Sequence, residues 1–177
     1  MQPSLNFPRV VHVLQELPEY SGLEAPQLLR TVLPNLHYIW IVRTDKVRQA
    51  VSWTIAAQTD IYAAWQAEIQ PPKQEPVFDF EQIELLHNLI LEGEAGWQSF
   101  FQANSIVPFK VVYEELVKTY EEIALRILDF FGIFYPKNLV LAERRMQKQA
   151  TDLNEEWVEK YRAIKQKRIA SAVEPGL

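Results

Sequence analysis

The sequence predicts a helix-rich α/β fold in which a short parallel sheet is flanked by helices. Three features carry this reading. Residues 36–42, "LHYIWIV", are β-branched and aromatic without strict polar alternation, the pattern of a strand covered on both faces. Helical spacing begins directly after it, with Val47, Ala50, Val51 and Ile55 on one face. The same order recurs at "SIVPFKVVYEEL", where Phe109, Val111 and Tyr113 line one side of a second strand, 107–113, and a helical stretch follows.

The elements follow in order. Residues 7–17, "FPRVVHVLQEL", suit a helix or a strand, since the run is short. Residues 26–33 read as a helix opened by Pro26, whose fixed φ suits a first turn, and broken by Pro34-Asn35. After strand 36–42, Thr44 or Asp45 supplies an N-cap, and the helix is predicted to continue through "AAQTDIYAAWQAEI" to Pro71-Pro72. "PPKQEPV", residues 71–77, reads as a linker. A long helix from about Phe80 to Ala103 carries Ile83, Leu86, Leu89 and Ile90 on one face, with Gly93 and Gly96 weakening it locally. "EELVKTYEEIALRILDFFGI" reads as a helix stopped by Gly132, and a short helix and loop are expected between Tyr135 and Thr151. Asn154 is a candidate cap for a last helix, "EEWVEKYRAIKQKR", and residues 169–177 read as a loose tail. Residues 1–177 are taken as a single domain. One difficulty remains: strand 36–42 has the composition of mid-sheet, yet only one other strand is secure, and two strands cannot cover each other's edges. Either residues 7–14 form a third strand, or the chain is part of a larger fold.

Composition narrows the function. A net charge of −5 gives no support to nucleic-acid binding, which starts from a basic face. With no cysteine there are no disulfides, thiolate metal sites or cysteine nucleophiles. The N-terminus lacks a secretory pattern and no stretch has the roughly 20 apolar residues of a transmembrane segment, so a soluble, cytoplasmic protein is expected. His12, His37 and His87 lie far apart without ligand spacing, so no metal is expected. There is no G-x-S-x-G elbow, Walker loop or dinucleotide fingerprint, and Glu114 and Glu115 read as a solvated helix start.

Attention falls on "YIWIVRTDKVRQAVSW", where a strand ends in Arg43 and a helix starts. Ligands of open α/β sheets gather beyond the carboxyl ends of the strands, and a helix start offers N–H groups and a positive dipole end to anions. Arg43 adds a planar cationic fork suited to phosphate, Ser52 lies nine residues later, and Arg48 shares the Ser52 face. The plainer alternative pairs Arg43 with Asp45 or Glu114 and makes Ser52 a packing residue.

"IVRTDKVRQAVSWTIAAQT" resembles the second cofactor segment of sulfotransferases, specifically the bacterial trehalose 2-sulfotransferase family. "GWQSFFQANSIVPFKVVYEELVKTYEEIALRILDFFGI" resembles that family's helix–strand–helix unit, and "KQATDLNEEWVEKYR" its C-terminal segment; the resemblance runs from roughly residue 7 to 163. It implies a partial P-loop-like sulfotransferase fold and 3′-phosphoadenosine 5′-phosphosulfate (PAPS) as sulfuryl donor. It places Arg43 and Ser52 on the 3′-phosphate and Lys148 near the cofactor. The family's R-S-G-S-T-type loop for the 5′-phosphosulfate, and the carboxylate proposed as general base after it, have no counterpart here. The chain therefore resembles the C-terminal two-thirds of such an enzyme, and its catalytic residues are expected in that N-terminal segment.

The expected function is sulfuryl transfer to a hydroxyl of a carbohydrate or glycolipid; the rival is a non-catalytic, nucleotide-binding or partner module of the same fold. Trp53, Tyr62, Trp65 and Trp97 offer flat faces for a sugar, with core packing or a homodimer contact as alternatives. Lys160, Arg162, Lys165, Lys167 and Arg168 form a basic run, read as a solvated face or as steering for an anion.

Overall fold

The computed structural model describes residues 3–142 and 152–173. The first element is a helix, α1 (Pro3–Gln15), so the expected choice between helix and strand resolves to helix. It packs on α2 (Ala25–Val32), where Leu28 and Leu29 are buried and Pro26 sits in the first turn. The third strand is thereby ruled out at residues 7–14.

Strand β1 (Ile39–Val42) and strand β2 (Phe109–Val112) pair in parallel, Ile39 opposite Phe109 and Val42 opposite Val112. Both are shorter than the 36–42 and 107–113 expected. They are the only two strands among the described residues. Helix α3 (Lys46–Thr59), the short α4 (Ala64–Ile69) and the long α5 (Phe80–Ala103) form the crossover between them, as parallel pairing requires. Paired residues of a parallel sheet share a face, so Ile39 and Ile41 lie on the side of Phe109 and Val111, and Trp40 on the other.

The sequence predicts β1 to be covered on both faces, and it is not. On one side Trp40 meets Phe101 of α5 with ring centroids 5.6 Å apart. On the other, Phe130 lies over Phe109 at 5.2 Å, shielding β2 but stopping short of β1. Ile41 is left 59% exposed and Ile39 39% exposed, whereas Val111 beside them is buried at 1%. The apolar composition of β1 describes a strand suited to cover that this arrangement does not provide.

The main core lies between α3, α5 and the last helix, α8 (Asp152–Val173), and is built from Ala50, Val51, Ile83, Leu86, Ile90, Trp157, Val158 and Tyr161. Leu89, expected on the buried face of α5, is exposed. Helix α8 begins before Asn154, which is therefore within its first turn rather than its cap, and it continues through 169–173, where a loose tail was expected.

Two predicted long helices are interrupted. Helix α3 ends at Asp60, which adopts a left-handed conformation with φ 60°. The segment after it turns back, since Gln58 clasps Val77 by donating to its carbonyl at 3.0 Å and accepting from its N–H at 2.8 Å. The stretch read as a linker is thus strapped to α3. Thr119, with φ −126° and ψ 52°, divides the helix after β2 into α6 (Tyr113–Lys118) and α7 (Tyr120–Phe130). Gly132, at φ +65°, follows α7 as the sequence predicts.

Candidate functional site

The parallel register brings the ends of β1 and β2 side by side, so that the residues after them, Arg43 and Tyr113, are neighbours. The guanidinium carbon of Arg43 lies 4.4 Å from the centre of the Tyr113 ring. Its Nε is buried and has no hydrogen-bond partner, and among the described residues Arg43 makes no ion pair. An orphaned guanidinium N–H is costly unless a ligand completes it.

Neither carboxylate named as an alternative partner for Arg43 takes that role. Asp45 is the N-cap of α3 and accepts from the Arg48 backbone at 3.0 Å, from Arg48 Nε at 3.3 Å and from Arg162 Nη2 at 2.9 Å. Glu114 accepts from the Thr44 backbone N–H with both oxygens at 3.1 Å. It is therefore a tether across the two strand ends, not the solvated residue expected, while Glu115 is exposed. Two of the amides that the sequence leaves for an anion are thus taken by carboxylates. The cation left without an ion pair at this corner, among the described residues, is Arg43.

Ser52 lies two turns into α3, is half-buried, and its hydroxyl has no hydrogen-bond partner among the described residues. No hydrogen bond joins it to Arg43, whose contact is with Tyr113. Arg48 is not presented beside Ser52: it bonds Asp45 and Glu155 and so clamps α3 to α8. Lys148 lies outside the described residues.

The basic run on α8 is largely exposed, as a solvated face would be, but most of its cations are also paired across to other elements. Arg162 pairs with Asp45 at 2.9 Å, Lys165 with Glu84 at 3.0 Å and Arg168 with Glu81 at 2.7 Å, while Lys160 covers the Phe78 ring at 4.3 Å. These cations dock α8 on the rest of the fold. Trp97 stacks on Phe101 and meets Phe7 edge-on at 4.9 Å, and Trp53 packs against the core, so neither offers a free face. Tyr62 and Trp65 remain about half exposed.

Two carboxyls of this corner, Asp45 and Glu114, are held below their ordinary values. Burial alone would raise Asp45, but the Arg48 backbone hydrogen bond, the charge of Arg162 and the side-chain hydrogen bonds from Arg162 and Arg48 outweigh it and hold the carboxyl below its ordinary value. Glu114 is likewise held down, against burial, by the backbone hydrogen bonds it accepts, first from Thr44. A carboxyl depressed in the native state contributes stability above its unfolded pKa and loses it as pH falls through the native one. The melting temperature should therefore be level from pH 7 to about 5 and fall below about pH 4. Asp45→Asn should lower the melting temperature at pH 7 and flatten the acid limb; a scanning calorimetry series from pH 7 to 3 checks both.

Sequence reasoning found Arg43 but not Tyr113 as its contact. The signal was available, because Arg43 and Tyr113 each follow a strand directly, and parallel pairing in register makes such residues neighbours.

The fold and the corner define a helix-rich α/β protein with an arginine at the carboxyl end of a parallel strand, where such sheets bind ligands. The chain belongs to the Stf0 sulphotransferase family, whose model matches residues 4–164. It is 29% identical over 151 residues to a trehalose 2-sulfotransferase of Mycobacterium tuberculosis, covering 84% of this chain and 54% of that one. It is 28% identical over 159 residues to a trehalose 2-sulfotransferase of Mycolicibacterium smegmatis, covering 88% of this chain and 57% of that one. The chain spans about half the length of the curated relatives it matches. Among the described residues no helix is long and apolar enough to cross a membrane.

Proposed function

We propose that the protein is a sulfotransferase domain that moves a sulfuryl group from PAPS to a hydroxyl of a carbohydrate or glycolipid, and that Arg43 and Ser52 hold the 3′-phosphate of the donor. The observation carrying this is the buried, unpartnered Nε of Arg43 at the carboxyl end of β1. The residues present fit the group: a guanidinium without a counter-charge and a serine hydroxyl without a partner, among the described residues, suit a phosphate. Lys148 is proposed near the same cofactor. The carbohydrate acceptor follows the trehalose named in both relatives. The donor brings an activated sulfuryl group; Arg43 and Ser52 bind and orient it, which is the larger part of catalysis where positioning and charge dominate. No residue of this chain is assigned as the general base. A homodimer in the cytoplasm completes the reading, with the exposed rings of Tyr62 and Trp65 at the acceptor or at the subunit contact.

Titration calorimetry tests the site. The chain should bind 3′-phosphoadenosine 5′-phosphate more tightly than adenosine 5′-phosphate, which lacks the 3′ group. Equal affinities would reduce the corner to a structural feature. Transfer of labelled sulfate to trehalose or another sugar separates an enzyme from a module that only binds nucleotide.

A further inference from the structure

We infer that Tyr113 and Glu114 are a positioning pair for Arg43, setting the preference of the corner for a nucleotide that carries a 3′-phosphate. The inference rests on the 3′-phosphate reading of Arg43 and adds to it the groups that make that arginine selective.

Three features of the geometry support it. First, a free arginine side chain samples many rotamers, and holding it still before binding removes part of the ordering cost from association. The Tyr113 ring does this, with the guanidinium carbon 4.4 Å from its centre. Second, the backbone from which Arg43 projects is fixed on both sides. Val42 is held by pairing with Val112, and Thr44 by the two carboxylate oxygens of Glu114, each 3.1 Å from its N–H. Third, among the described residues the arrangement leaves the cation without an opposing charge. Asp45 is occupied by Arg48 and Arg162, and Glu114 spends its lone pairs on the backbone. An aromatic face orients a guanidinium without neutralising it, whereas a carboxylate in the same place would compete with the phosphate.

A ring contact of this kind has a signature that needs no ligand. In the unliganded chain the Nε–H proton of Arg43 should resonate upfield of the usual arginine position, because the guanidinium sits over the Tyr113 ring. Tyr113→Phe should keep the shift and Tyr113→Leu should lose it. The second readout is the ratio of affinities for 3′-phosphoadenosine 5′-phosphate and adenosine 5′-phosphate, in which any contact of residue 113 with the shared adenosine cancels. Tyr113→Leu should reduce that ratio about tenfold, and Tyr113→Phe should preserve it. Glu114→Ala, which frees Thr44, should reduce the ratio in the same direction.

An unshifted Nε–H in the unmutated chain overturns the ring contact, whether or not any variant folds. If Arg43→Ala abolishes the preference while Tyr113→Leu keeps it in full, positioning by Tyr113 is wrong and the 3′-phosphate reading stands. If the unmutated chain shows no preference at all, the reading itself falls and the selectivity role falls with it.

Discussion

Tyr161→Ala should destabilise the protein more than any other single truncation of α8. The ring is fully buried, stacks on Phe80 with centroids 5.0 Å apart, and closes the core between α3, α5 and α8. Truncating a buried aromatic costs about 3–5 kcal/mol through lost transfer energy and the cavity left behind. That is a large share of the roughly 5–15 kcal/mol that a domain possesses. The hydroxyl adds a further strand to the argument. It donates to Glu84 and accepts from Lys165 at 3.1 Å, and Lys165 also bonds both oxygens of Glu84 at 3.0 Å. Tyr161→Phe keeps the ring and the Lys165–Glu84 pair and loses only hydrogen bonds to charged partners, so it should cost less, about 1.5–3 kcal/mol. Urea unfolding of the two variants separates packing from polarity: equal midpoints would show that the ring is not part of the cooperative core.

The triad also raises the phenol above its ordinary value, chiefly by burial and then by the Glu84 hydrogen bond, while Glu84 is lowered despite its burial by the Tyr161 hydroxyl and Lys165. Across the working pH range it therefore stays as a neutral phenol, a carboxylate and an ammonium. Helix α8 is thus held near its start by the Arg48–Glu155 pair and through its middle by this triad and the Arg162–Asp45 pair, the last of which reaches the cap of the helix that follows Arg43. Packing at the far end of the chain and geometry at the corner are linked through Asp45.

The periodic signals of the sequence were good guides where one element decides its own shape. Ala50, Val51, Ile83, Leu86 and Ile90 emerge on buried faces because a 3.6-residue repeat has a single interpretation. The strands were placed correctly and paired in parallel, since residues 46–103 between them contain helices and a right-sized crossover. Breaks were harder. Asp60 ends α3 in a left-handed turn, and aspartate, unlike glycine, does not announce one. Thr119 interrupts α6 and α7 without a proline or glycine to mark it.

At the candidate site the asymmetry is similar. Arg43 and Ser52 stand out by spacing, but a spacing cannot say which carboxylates are already occupied. Asp45 lies two residues from Arg43 and Glu114 is 70 residues from Thr44, and both engage other donors for reasons visible only in three dimensions. The ion pairs of Arg162, Lys165 and Arg168 were hidden for the same reason: these cations look free in sequence because Glu81, Glu84 and Asp45 are remote from them. Exposure of Ile39 and Ile41 is likewise a property of where α7 stops, which no property of β1 records.

Arg43→Ala should abolish the preference for 3′-phosphoadenosine 5′-phosphate over adenosine 5′-phosphate with little effect on folding. The stability change should be modest because, among the described residues, Arg43 has no ion pair and chiefly the Tyr113 contact to lose, worth about 0.5–2 kcal/mol at a partly buried site. Its role toward a phosphate is different in size. A hydrogen bond to a charged partner contributes about 1.5–3 kcal/mol, which is roughly ten- to more than a hundredfold in affinity. Arg43→Lys keeps the charge but not the planar fork, so it should retain only part of the preference. Ser52→Ala also removes a hydrogen bond to the charged phosphate, so it should weaken the preference too, by less than Arg43→Ala because it removes no charge, and should leave Arg43 in place on Tyr113. Calorimetric titration of each variant with both nucleotides reads these effects as changes in one ratio. A protein in which Arg43→Ala weakened both nucleotides equally would be using Arg43 to hold the scaffold, and the 3′-phosphate would have to be bound elsewhere.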